Sequence, residues 1–94
     1  MLTNCMAEIK RLVYSNNVAT TKQTIGTYFG YITAINEESN LTEDGKFKLF
    51  KLSILCSTEI KEADEIVIDS VSYFVKVAYR HGHISLTTVI LEKQ

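Results

Sequence analysis

Two histidines one residue apart, His81 and His83, place two imidazoles on one strand parity at the mouth of a hairpin. That spacing could hold two positions of a metal site, which still needs a third and usually a fourth ligand. No acid is placed by spacing to supply them, and Gly82 already explains the tripeptide as a tight turn. A second candidate is the acidic cluster Glu59, Glu62, Asp64, Glu65 and Asp69, with Lys61 as the only basic residue among them. Paired carboxylates can do acid–base work, but such a run usually makes a solvated edge. A third is the basic set Lys46, Lys48 and Lys51 with Phe47 and Phe50 interleaved, a pattern found in barrels that bind single-stranded nucleic acid. A strand that turns its aromatics inward and its lysines outward gives the same pattern, and the lysines then guard an edge. No glycine-rich phosphate loop, nucleophile elbow or Cys/His nucleophile pair is present, so neither catalysis nor a cofactor or metal is expected.

The elements that must position these groups fit in one small domain. The chain has 94 residues, 46% of them apolar, enough for one core of modest size. Ten basic and eleven acidic residues leave a formal charge of −1. That balance, with a pI of about 6.1, argues against a general pull toward nucleic acid or anionic membrane. Apolar stretches are too short to span a bilayer, and no h-region of a signal peptide is seen, so a cytosolic protein or a particle assembled in the cytosol is expected. Cys5 and Cys56 read as small core residues with free thiols.

Leu2, Cys5, Met6, Ile9, Leu12 and Val13 recur at three- and four-residue steps. This spacing predicts an amphipathic helix over residues 3–15, capped by Thr3 or Asn4 and ended by Asn16-Asn17, within an N-terminal helical segment 1–17. Residues 18–23 read as a loop. A first strand is expected over 25–35, with Gly26 and Gly30 as places for a bend or bulge. The polar stretch Glu37, Glu38, Ser39, Asn40, Leu41, Thr42, Glu43, Asp44 and Gly45 is expected to be a long mobile loop. The next strand, over 46–56, turns Phe50, Leu52, Ile54 and Cys56 to one side, and Ile60 anchors the polar segment that follows it.

The last third of the chain reads as three strands in a row. A short apolar run ends at Asp69; Tyr73, Val75, Val77 and Tyr79 then alternate with Phe74, Lys76, Ala78 and Arg80; Ile84, Leu86 and Ile90 share one parity after the turn. The fold expected is mainly β: a small antiparallel barrel or sandwich of four or five strands over 24–92, preceded by one helix. Its core is expected to contain Ile32, Phe50, Leu52, Ile54, Ile66, Ile68, Val75, Val77, Ile84, Leu86 and Ile90.

Within this run, Asp64-Glu65-Ile66-Val67-Ile68-Asp69, Tyr73-Phe74-Val75-Lys76-Val77 and the closing strand ending in Leu91-Glu92-Lys93 resemble the small head–tail joining, or head-completion (stopper), proteins of long-tailed bacteriophages, the group that includes the lambda joining protein. In that family a glycine often precedes the Asp and another sits in the first hairpin turn; this chain has Ala63 and Ser70 there. The resemblance implies a virion protein of the neck, with no chemistry of its own. Copies would form a ring below the portal, close the DNA channel and offer a surface to the tail. The partners implied are the portal or an adaptor, tail proteins and further copies of the chain, near packaged DNA but without sequence-specific binding and without a membrane. A ring needs two different faces that meet; Glu62, Asp64 and Glu65 against Lys46, Lys48 and Lys51 could supply them, and the loop 37–45 could face the channel or the tail. The free protein could be monomeric. The competing readings are a small barrel binding single-stranded nucleic acid, and another phage ring protein such as a tail terminator or baseplate component.

Overall fold

The computed structural model of the chain describes residues 2–35, 47–81 and 86–94. Six strands run through them: β1 (Cys5–Ser15), β2 (Val18–Ala34), β3 (Leu49–Leu55), β4 (Glu65–Ile68), β5 (Val71–His81) and β6 (Leu86–Lys93). They close into a barrel in the order β1-β2-β3-β6-β5-β4, with every neighbouring pair antiparallel. Closure removes the free sheet edges a sandwich would leave.

The expected N-terminal helix is replaced by β1. Three turns of isolated helix are marginal, so pairing to distant strands overrides the 3.6-residue spacing. β1 ladders with β2 along its whole length and with β4 at Glu8–Lys10. Alternation places Ala7 and Ile9 in the core, both fully buried. Asn4 does not cap a helix. Its side-chain amide donates to the Ile32 carbonyl (2.9 Å) and accepts from the Ile32 N–H (2.8 Å), which extends the ladder one step beyond the strand. Residues 18–23, read as a loop, are the first third of β2. Between the two strands Asn16 and Asn17 both take positive φ (53° and 65°), the geometry of a two-residue type I′ hairpin turn that asparagine tolerates.

Ile25 is the extra residue of a bulge, since Ile9 faces Gly26 while Lys10 faces Thr24. Gly30 sits in regular ladder instead, for a packing reason: a Cβ there would lie 2.9 Å from the Ser53 carbonyl oxygen and 3.0 Å from Leu52 Cδ1. On β3 the expected parity holds. Leu52, Ile54 and Cys56 are buried, Phe50 packs at the core margin, and Ile60 anchors the segment before β4. Phe50 meets Tyr73 edge to face at 5.4 Å between ring centroids.

The parity of the last hairpin differs from the expectation. Tyr73 and Val75 point inward, then a bulge at Lys76 shifts the register, so Val77 faces Ile90 while Ala78, opposite the buried Val89, packs on the core. On β6 the inward residues are Thr87, Val89 and Leu91, whereas Leu86 and Ile90 are only half-buried. Both parities of β6 carry apolar residues, and the bulge decides between them. Ile84 lies outside the described residues, as do Lys46, His83 and the stretch 37–45. Ile32 is half-buried against the core, and Ile66 and Ile68 are buried as expected.

Candidate interaction site: a projecting arm and an apolar outer face

Beyond Lys10, β1 has no ladder to β4, and before Gly30, β2 has no ladder to β3 among the described residues. From Arg11 to Gln23 the two strands therefore pair only with each other and form a ribbon that leaves the barrel as an arm. A free two-stranded ribbon is marginal in water, so its root needs anchors. Arg11 supplies one. Its Nε and Nη2 donate to the two carboxylate oxygens of Asp64 at 2.8 and 2.7 Å, and Nη2 also donates to the Glu59 carbonyl at 2.9 Å. Asp64 in turn accepts from the Lys61 N–H (2.9 Å) and is only 3% exposed. Lys22, on the other strand of the arm, donates to the Glu65 carboxylate, which Ser72 and Gln94 also reach. These contacts hold the Glu65 carboxyl below the usual carboxylate range, the hydrogen bond from Lys22 first, against an opposing effect of burial. Thr24 ties the ribbon to Glu8 on the neighbouring strand at 2.7 Å.

Around the polar Asn16-Asn17 turn the arm carries exposed apolar side chains, Leu12, Val13, Tyr14 (65%) and Val18 (62%), and Leu12 and Tyr14 line an open cleft with Lys61, Glu62, Ala63 and Asp64.

A second apolar surface lies on the outside of the barrel wall. Ladder partners point to the same side of a sheet. One row crosses Met6 and Phe29 on β1 and β2, then Leu55 and Leu86 on β3 and β6. The row beside it runs Tyr31, Ser53, Thr88, Tyr79. Met6, Phe29, Tyr31, Leu55 and Tyr79 are all exposed large side chains. Between the rows, Leu2, Tyr31, Ser53 and Leu86 line an open cleft of about 370 Å³. Exposed apolar faces of this kind are enriched at interaction surfaces of proteins.

The charged residues singled out in the sequence are placed differently from one another. Lys48 and Lys51 are exposed near the start of β3, and Glu65 lies on the same cross-strand row as Leu49, through Phe74 and Glu92; among the described residues no ion pair joins Lys48 or Lys51 to Glu62, Asp64 or Glu65. Lys48 pairs with Glu92 at 3.5 Å. Asp64 and Glu65 already hold Arg11 and Lys22, which leaves Glu62 as the exposed acid of the three. Phe50 turns toward the core and away from the exposed lysines. His81 Nε2 lies 2.8 Å from Thr88 Oγ1. Among the described residues no group of three or more His, Cys, Asp or Glu is close enough to hold a metal ion. Cys5 and Cys56 are free thiols, and burial pushes the Cys5 thiol up. Comparison with protein-family models and with curated proteins finds no match for this chain.

Reading residues 3–15 as a helix hid the arm. The signal was present in Asn16-Asn17, set between one run of Ile, Leu, Val and Tyr and another rich in Val and Thr, the residues that favour strands.

Proposed function

We propose that this chain is a structural protein of the bacteriophage neck, a head-completion or stopper subunit that works as a ring of copies below the portal, closes the DNA channel and offers the tail its docking surface. The observation that carries the reading is the pairing of a projecting arm with a separate apolar wall on one closed barrel. A ring requires two unlike surfaces on each copy, and these are unlike in shape and position. The resemblance of residues 64–69 and 73–77 to that family supports the same reading. So do Ala63 and Ser70, where the family often has glycine: both take the left-handed backbone that glycine favours, at φ of 74° and 65°.

The nucleic-acid alternative needs lysines and aromatics displayed together. Here Phe50 packs inward and Lys48 is engaged with Glu92, which favours the structural role. The test is to add purified protein to tail-less, DNA-filled heads of the phage that encodes it. Retained DNA and restored tail attachment are expected. Failure to bind heads, together with tight, salt-sensitive binding of single-stranded oligonucleotides, overturns the proposal.

A further inference from the structure

We infer that the arm is a latched element: residues 11–23 open from the barrel as one unit, hinged beside the Ile25 bulge and fastened shut by Asp64 and Glu65, which hold Arg11 and Lys22. The core stops at the hinge. Ile9 on β1 and Ile25 on β2 are its nearest members on the two strands, and none of the described side chains from Arg11 to Gln23 joins the core or packs against it. A two-stranded ribbon with no third strand and no core face is marginal by itself. Its opening therefore costs less than unfolding the barrel.

What fastens the arm is polar and comes from two consecutive residues. Asp64 takes Arg11 of β1 in a fork of 2.8 and 2.7 Å, and Glu65 takes Lys22 of β2. Each strand of the ribbon thus has one cation tied to one carboxylate, close to where the ladder from β1 to β4 ends at Lys10. Beside these ties the arm is not packed down: Leu12 and Tyr14 line an open cleft of about 310 Å³ with Lys61, Glu62 and Ala63. That space lets the ribbon tilt without displacing a core side chain. The bulge, where Ile9 faces Gly26 while Lys10 faces Thr24, supplies the irregular step in the ladder about which it turns.

The Glu65 tie responds to acid. Its carboxylate is reached by Lys22 from β2, Ser72 from β5 and Gln94 beyond β6, and its ladder partner on β1 is Lys10, which pairs with Glu8 at 3.6 Å. The other acids around it are Asp64, beside it in the chain, and Glu92, two strands away on the same row. With the arm shut, the Lys22 hydrogen bond above all holds the Glu65 carboxyl below its ordinary range; opening returns it toward that range. The tie is complete above about pH 4.3 and is lost as pH falls through the lower, closed value. The inference concerns the free chain and does not depend on the ring reading.

Native-state hydrogen exchange of the whole chain in low urea, read by NMR, tests it. Relative to their intrinsic rates, arm amides should exchange at least about 10-fold more readily than those of Ile54 and Leu91, with little dependence on urea, because opening the arm exposes little surface. Ile54→Val, in the core, should speed the barrel amides about 3- to 10-fold and leave the arm amides at the parent rate, since the core is intact whether the arm is open or shut. Lys22→Met, at an exposed position on the arm, should speed the arm amides about 5-fold and flatten the loss of their protection as pH falls below about 4.3. Arm amides that follow the barrel amides in Ile54→Val would mean that the arm opens only when the whole domain does, which overturns the inference. Arm amides that keep the parent rate and the parent pH dependence in Lys22→Met overturn the latch.

Discussion

Arg11 and Asp64 sit fifty-three residues apart in sequence and meet through two parallel hydrogen bonds, 2.8 and 2.7 Å long, at the root of the arm. The geometry is the fork-to-carboxylate pairing that only arginine makes, with the carboxylate buried and the guanidinium half-exposed. It joins the arm to the segment before β4, whose Asp64 carbonyl accepts the Val75 N–H at 3.1 Å. One residue therefore fixes the arm to the barrel and the segment to β5.

Breaking that pair should loosen the arm and cost stability. Arg11→Met leaves a buried carboxylate with the Lys61 N–H as its donor among the described residues, and Asp64→Asn removes the charge. Each should lower unfolding free energy by about 1–3 kcal/mol in urea titrations, and amide exchange in residues 11–23 should quicken. A variant with parental stability and unchanged exchange would show that the pair holds nothing.

Ala63 and Ser70 carry a backbone that side chains disfavour, and glycine relieves it. Ser70→Gly also turns the Asp69-Ser70 hairpin, with φ of 50° and 65°, into the favoured Asp-Gly type I′ turn. Each substitution should stabilise by roughly 0.5–1 kcal/mol after the entropy cost of glycine is deducted, a rise of several degrees in Tm for a domain of this size. Thermal melts decide it, and an unchanged or lowered Tm would mean that the turns relax without strain.

Acid should weaken the arm through Glu65. Its folded pKa lies below its unfolded value, so the unfolded chain binds more protons in that window and stability rises with pH. The contribution is complete above about pH 4.3 and is lost as pH falls through the lower folded value. Glu65→Gln should flatten the slope of stability against pH on the acid side. An identical slope in parent and variant would assign the acid sensitivity to other groups.

Ile9 distinguishes the strand from the helix directly. It is fully buried in the barrel, opposite Gly26 on one side and Ile66 on the other. Ile9→Ala should cost about 2–4 kcal/mol, whereas Met6→Ala, on the same helical stripe but half-exposed, should cost well under 1 kcal/mol. Comparable losses from the two would restore the helical stripe.

The strands with one clean parity were legible in the sequence. On β3, lysine and serine alternate with Phe50, Leu52 and Ile54, and only one face can be buried. β4 is short enough for its apolar run to have one placement. Legibility failed where both parities are apolar or where the ladder slips. On β1 the exposed Met6, Leu12 and Val13 are apolar as well as the buried Ile9, which gives a spacing of three and four that mimics a helix, and the bulge at Lys76 sends Ala78 inward in place of Val77. The acidic cluster was visible as a cluster, but its use was not. Arg11 and Lys22, which take up Asp64 and Glu65, lie more than forty residues away in sequence, and only barrel closure brings them near. The apolar wall is likewise assembled from β1, β2, β3, β5 and β6, so no single stretch announces it.

The most direct measurement of the central proposal is electron cryomicroscopy of tail-less, DNA-filled heads after incubation with the purified chain. The account predicts a ring of six-stranded barrels at the portal vertex, with DNA retained behind it. Heads whose portal vertex carries no added density, and which leak DNA as before, would contradict it.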